Sequence, residues 1–361
     1  MPRLVSRRIR LASHVQGLPF DRPKPVDDPR LPPSRQPVPA TGTTVAVLDS
    51  GISRHPWLDG RYDPGCLPNE AELWDMSAAE LPRHVGHGTF VAGIVRQYSP
   101  GSMIVPRRVI HLDGESDDAT LAAAIRALGE VDVLNLSLGA APHASKHHYT
   151  GVEQTEEAIW ELQHRHGTVV VVAAGNSKEE FPQDRIAPED PLTVVVGALD
   201  ENDQPASFSD DDGVTLWAPG VDVVSSFLCW TGPVAAQVDD HDPADAAAGE
   251  ESANHGHGRQ GHGNSGGADD DVLHFAGWAQ WSGTSFAAPA VAGAIAAEIS
   301  KLADITEPRK RRQQGLDRVL TNARRVTLRS PGAAPGISRA RRQRVGTRVG
   351  GITTRSLERG S

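Results

Sequence analysis

Between residues 41 and about 200, short apolar runs alternate with stretches of helical periodicity. Val45-Ala46-Val47-Leu48 is an unbroken apolar run closed by Asp49, the pattern of a strand buried on both faces with a carboxylate at its C-terminal edge. Val131 to Leu138, Thr168 to Ala173 and Leu192 to Val196 read as further strands. Asp117-Asp118 opens a helix predicted over 118–128, and Thr155 to Gln163 places Ala158, Ile159 and Leu162 on one helical face. This alternation predicts an α/β fold in three layers, a mainly parallel central sheet with helices on both faces. The strand ends then converge on one edge, which brings Asp49, Ser137 and Asn176 near one another. Residues 283–302 are apolar nearly all round and predict a helix through the middle of the domain. A basic helix over 309–326 closes it.

Three segments carry candidate chemistry. Ser285 lies in Trp281-Ser282-Gly283-Thr284-Ser285-Phe286-Ala287-Ala288-Pro289, between small residues at the start of that apolar helix. There the unpaired N–H groups and the positive end of the helix dipole could hold an oxyanion beside an attacking hydroxyl. A serine in this place is also an ordinary N-cap. Asp49 is followed by Ser50-Gly51, which suits a simple turn as well as a catalytic strand end. His87 stands in Gly86-His87-Gly88-Thr89-Phe90-Val91-Ala92-Gly93-Ile94, before a helix of small and apolar residues, where a lone His is more often incidental. The three together change the reading. A hydroxyl needs a neutral imidazole to take its proton, and the imidazole needs a carboxylate to fix its tautomer.

The order Asp49, His87, Ser285 and the segments VLDSGI, GHGTFVAGI and SGTSFAAP resemble the subtilisin-like (S8) serine peptidases. Leu134-Asn135-Leu136-Ser137-Leu138-Gly139 and Val172-Ala173-Ala174-Gly175-Asn176 resemble two further segments of that family. The resemblance spans about residues 41 to 328. It implies a subtilisin-like three-layer fold and a serine endopeptidase acting through an acyl-enzyme. Catalysis would fall to Asp49, His87 and Ser285, the oxyanion to Asn176, and main-chain pairing with substrate to Ser137, Leu138 and Gly139. The alternatives for the last four are a turn asparagine and an ordinary strand end. No cofactor is implied. Many relatives hold a structural calcium ion, but no motif assigns its ligands here, and acidic Ser209-Asp210-Asp211-Asp212-Gly213 lacks the spacing of an EF-hand.

The flanks differ from the body. Residues 1–40 form a basic, Pro-rich arm with 8 Lys+Arg against 3 Asp+Glu, too short and too proline-rich to build the propeptide domain that such peptidases often carry. Residues 329–361 read as a basic, disordered tail, and 301–361 hold 16 Lys+Arg against 4 Asp+Glu. Since the whole chain carries −10, the part between is strongly acidic. Without a nucleic-acid motif, the expectation is that these basic ends lie against the acidic body or stay solvated, and the partner is a protein or peptide substrate, with no nucleic acid and no membrane. The peptidase domain, 41–328, is interrupted at about 231–272 by a low-complexity insertion rich in Asp, His, Gly and Ala. Its His255, His257 and His262 suit Zn²⁺ or Ni²⁺ by type, but the expectation is a solvated loop bordering the cleft and no metal site. Cys66 and Cys229 are expected as free thiols. No apolar run is long enough to span a membrane, and Met1 to Phe20 lacks the apolar core of a signal peptide, so the expectation is a cytoplasmic protein.

Overall fold

Alternate residues of the central strands enter two different cores. The computed structural model describes residues 8–11, 22–27, 40–72, 79–82, 84–111, 114–140, 153–176, 186, 189–234, 272–323, 348–349 and 352–354. The strands begin with β1 (Arg8–Leu11), β2 (Lys24–Pro25), β3 (Thr44–Asp49), β4 (Met103–Arg108) and β5 (Glu115–Asp117). They continue with β6 (Val133–Leu136), β7 (Leu138–Ala140), β8 (Val169–Ala173), β9 (Thr193–Leu199) and β10 (Leu216–Pro219). Last come β11 (Val223–Gly232), β12 (Leu273–Trp281), β13 (Arg348–Val349) and β14 (Ile352–Thr354). The α-helices are α1 (Leu67–Glu70), α2 (His87–Tyr98), α3 (Asp118–Arg126), α4 (Glu153–His166), α5 (Thr284–Ser300) and α6 (Pro308–Asn322).

The central sheet runs β4-β3-β6-β8-β9-β10, six parallel strands, of which the apolar runs predict β3, β6, β8 and β9, while β4 and β10 extend the parallel set on either side. Val45, Val47, Val133, Val169 and Val171 face the core beneath α2 and α5. Ala46, Leu48, Leu134, Leu136, Val170 and Val172 face the core beneath α3 and α4. Both faces are therefore covered, which is why these strands are apolar on both sides apart from the buried Asn135 of β6. The chain leaves β3 for β4 on one side and later returns to β6 on the other. The crevice between β3 and β6 is thus the topological switch point, where ligands of such sheets gather.

Two regions depart from expectation. The antiparallel hairpin β11–β12 holds both ends of the insertion, because Gly232 pairs with Leu273. Thr231 and Gly232 are thus strand residues, and 235–271 lie outside the described residues. In the tail expected to be disordered, β14 adds antiparallel to the edge of β10 and pairs with β13. The local signal was Val349-Gly350-Gly351-Ile352, two strand formers around a Gly-Gly pair. Cys66 and Cys229 are free thiols.

Two side chains fasten the periphery. The buried Arg312 of α6 donates to Asp132 Oδ1 at 2.8 Å and Glu130 Oε1 at 2.7 Å, and Asp132 also accepts the Thr44 N–H at the start of β3. Arg312→Ala leaves the buried Asp132 with only the more distant Arg311, at 3.5 Å, as a counter-ion and is expected to cost about 3 kcal/mol, measured by denaturant unfolding. The loop after β3 is held by His55, whose Nε2 donates to Gly277 O of β12 at 2.8 Å while Nδ1 accepts the Trp57 N–H. Burial pushes this imidazole below its ordinary value of 6.5, against the pull of the Gly277 carbonyl and Asp59. The unfolded chain takes up this proton before the folded one, so the stability that neutral His55 contributes is present above pH 6.5 and is lost below it. The fall in Tm between about pH 7.5 and pH 5 is therefore expected to be smaller in His55→Gln than in the parent.

Candidate functional site

The carboxylate comes first, because the sheet fixes it. Asp49 is the last residue of β3, opposite Arg108 of β4, at the C-terminal edge beside the switch point. Its Oδ1 accepts the Ser50 N–H at 2.7 Å and holds His87 Nδ1 at 2.7 Å. A carboxylate oxygen accepts, so the ring nitrogen that faces it, Nδ1, carries the proton, and Nε2 is left as the acceptor. Among the described residues Nε2 has no hydrogen-bond partner.

His87 is the first residue of α2, and glycines on either side let it approach β3. Gly86 takes a left-handed φ of 89° as the N-cap. A Cβ on Gly88 would lie 2.0 Å from Gly51 O, so only glycine lets the first turn of α2 rest against the backbone that follows Asp49. The ring packs edge-on to Trp281 at 5.6 Å and against Phe286 at 5.2 Å, and Phe90 closes the same aromatic cluster. Phe286 is the neighbour of Ser285, so the imidazole stands beside the start of the apolar helix.

Ser285 is the second residue of α5, among N–H groups without an intrahelical acceptor. Pro289 lies inside this helix, past its first turn, and its effect on the site is specific. Lacking an N–H, it leaves the carbonyl four residues earlier free. That carbonyl is Ser285 O, and it accepts from Ser137 Oγ at 2.8 Å. In return Ser285 Oγ donates to Ser137 O at 3.2 Å, so the end of β6 and the start of α5 are fastened twice. The second bond is long for a hydroxyl, and Ser285 loses little by turning elsewhere. In this structure the Ser285 hydroxyl thus faces β6, while His87 is joined to Asp49.

Asn176 follows β8 by three residues. Its Oδ1 accepts both the N–H and the Oγ1–H of Thr284, each at 2.9 Å. The backbone N–H can only donate, so the amide cannot be flipped. Nδ2 must point away from Thr284, beside Gly283, and it is buried with no partner among the described residues. A buried amide with its oxygen doubly satisfied is left with N–H groups that need an oxygen, of water or of a ligand, to accept them. Asp49, His87, Asn176 and Ser285 are all at most 4% exposed.

Ser137, Leu138 and Gly139 lead from β6 into β7 at this same edge. The pairing partner of Leu138 and Gly139 is the chain's own β1. It lies antiparallel between β5 and β7, with Ile9 opposite Ser116 and Ala140, Arg10 opposite Glu115 and Gly139, and Leu11 opposite Leu138. β1 and β5 were missed in the sequence. The period-2 pattern Arg8-Ile9-Arg10-Leu11 is a strand signal, but it lies in a stretch whose dominant features are basic charge and proline. Among the described residues no cluster of His, Cys, Asp and Glu is arranged to hold a metal ion.

Residues 40–339 match the family model described as the subtilase family. A thermophilic serine proteinase of Bacillus sp. (strain AK1) is 32% identical over 203 residues, 52% of this chain and 46% of that protein. Subtilisin BL of Lederbergia lenta is 32% identical over the same length, 67% of that protein. The chain thus spans less than half the length of the first relative. A crystal structure of a lanthipeptide protease superposes with a TM-score of 0.52 and 19% identity, over 76% of this chain and 79% of that one, which supports the fold. With the model covering most of the chain and the α/β architecture agreeing, this protein belongs to the subtilase family of serine peptidases.

Proposed function

We propose that this chain is a serine endopeptidase that hydrolyses peptide bonds through an acyl-enzyme. The observation that carries the reading is the Asp49–His87 hydrogen bond, set beside the helix N-terminus that bears Ser285. Ser285 Oγ turns from Ser137 O to His87 Nε2 and attacks the scissile carbonyl as Nε2 takes its proton. Asp49 holds the tautomer and stabilises the imidazolium. The carbonyl oxygen, now an anion, receives the Asn176 Nδ2–H and the N–H of Ser285, both in place before the reaction. His87 returns the proton to the leaving amine, the amine departs, and water repeats the sequence on the ester. The donor set on this route is all nitrogen and oxygen from the chain, and no cofactor enters a step.

The substrate side rests on β1. A peptide that adds between β5 and β7 would run antiparallel to both, as β1 does, and main-chain pairing would accept many side chains. The occupant must be a protein or peptide segment able to extend, and β1 must leave before another strand can take its place.

Three measurements test this reading. A fluorophosphonate probe is expected to label the parent chain and not Ser285→Ala; labelling of both, or of neither, would reject the nucleophile. Asn176→Ala is expected to lower kcat by about 10²–10³ with little change in KM, since the anion exists only after attack. Removing residues 1–11 is expected to lower KM for extended peptides while kcat per labelled site stays within about twofold, because a competing strand has been taken away. An unchanged KM would mean that β1 does not compete.

A further inference from the structure

Glu72 is a fully buried carboxylate that the mechanism above does not use. It reaches the site because residues 70–72 run alongside the turn after β3. Ile52 N donates to Glu70 O at 2.9 Å, and Ile52 pairs with Ala71 in an isolated parallel bridge. Gly51 makes this possible. Its φ is +110°, and a Cβ there would meet Glu70 O and Glu72 N at 2.8 Å.

Four donors converge on this carboxylate. Glu72 Oε1 accepts the Ser50 hydroxyl at 2.9 Å and the Thr89 N–H at 3.3 Å. Oε2 accepts the Ser53 hydroxyl at 2.9 Å and the Thr89 hydroxyl at 3.0 Å. The two inner hydroxyls cannot point elsewhere without loss. Ser50 Oγ already accepts the Gly88 N–H at 2.9 Å, and Thr89 Oγ1 accepts the Ser53 N–H at 2.8 Å. Each has one proton left, and each gives it to Glu72. Four donors with no acceptor among them suit an ionised carboxylate. Burial pushes the Glu72 carboxyl above the usual carboxylate range, and these hydrogen bonds pull it back.

The partners are the significant part. Ser50 follows Asp49, and Thr89 follows His87 by two residues. One buried side chain therefore spans the two segments whose junction is the Asp49–His87 bond. We propose that Glu72 is a positioning residue for the reaction: its carboxylate clamps the end of β3 to the first turn of α2 and so sets the geometry of the Asp49–His87 hydrogen bond. This rests on the peptidase reading, and deepens it, because Glu72 touches neither substrate nor reacting atom. Residue type matters as well as size. An amide at position 72 keeps one acceptor oxygen but turns N–H groups toward hydroxyls that already receive a backbone donor.

The test compares Glu72→Gln, Ser53→Ala and Arg312→Ala with the parent. Ser53→Ala removes one of the four donors and keeps the charge. Arg312→Ala loses stability far from the site. All rates are expressed per site labelled by fluorophosphonate. Glu72→Gln is expected to lower kcat about 10-fold or more with KM within about twofold, the signature of a misplaced base and not of lost binding. Ser53→Ala is expected to fall between it and the parent. Arg312→Ala should keep the parent kcat per labelled site, because loss of stability alone does not move the base.

An independent readout is the low-field proton resonance of the Asp49–His87 hydrogen bond. It is expected to shift or broaden in Glu72→Gln and to stay in place in Arg312→Ala. A Glu72→Gln enzyme with parental kcat and an unmoved resonance would overturn the clamp. If the parent itself is not labelled at Ser285, the peptidase reading fails, and the resonance still decides whether Glu72 positions His87. Should Glu72→Gln fail to fold, a parental kcat and resonance in Ser53→Ala would overturn the proposal, and a graded loss would support it.

Discussion

The 2.7 Å bond between Asp49 and His87 is the reactive part of the junction between two elements. One is a strand end fixed by its neighbours in a parallel sheet. The other is the first turn of a helix packed on one face of that sheet. For the bond to form, α2 must come closer to the backbone after β3 than any side chain on Gly88 would allow. Much of the local chemistry follows from this close approach. The glycines at 51, 86 and 88, the small hydroxyl residues at 50 and 89, and the aromatic wall of Phe90, Trp281 and Phe286 are all conditions for it.

A second constraint governs the opposite side of the crevice. α5 must present its N-terminus to the site, yet its body is apolar and buried across β6, β8, β9 and β10. A buried helix end normally wants caps for its free N–H groups. Here Asn176 Oδ1 takes the Thr284 N–H, Gly220 O takes the Gly283 N–H and Gly283 O takes the Phe286 N–H, and the Ser285 N–H is left to face the site. At the same end Pro289 frees the Ser285 carbonyl, and Ser137 fastens it to β6. The helix is therefore anchored through its oxygens and one amide, and its positive end remains open to an anion. The proline contributes to the anchoring, through the carbonyl it frees, and the open donor is a property of the helix end itself.

These relations explain what could be read from the sequence. The α/β alternation, the parallel strands β3, β6, β8 and β9 and the apolar helix at 284–300 were legible, since full burial leaves apolar runs, whereas β4 and β10 carried no such signal. So was the order Asp49, His87, Ser285, because each lies in a motif with local glycine and small-residue cues. Glu72 was not. Its importance lies in contacts 17 to 22 residues away in the chain, and nothing in Asn69-Glu70-Ala71-Glu72 distinguishes it from a solvated acidic run. β11 and β12 were hidden by the insertion between them, and β14 by the arginine-rich composition around it. In each case pairing with a distant partner overrode the local pattern.

The cleft itself poses a problem of sheet edges. β5 and β7 present backbone donors and acceptors toward a common gap, and neither can pair with the other while the gap is open. Such edges invite any extended chain. The proposed peptidase function needs that invitation, yet an unfilled gap would leave these backbone groups dependent on water and open to indiscriminate pairing. β1 meets the need with a four-residue strand tethered to the domain at β2, where Lys24 and Pro25 pair with Gln280 and Ala279 just ahead of the serine motif. Tethering makes its local concentration high, while four residues give it few hydrogen bonds. Under the proposed function, a longer peptide strand displaces it by making more main-chain hydrogen bonds. On this argument the length of β1, more than its side chains, sets how readily a peptide displaces it.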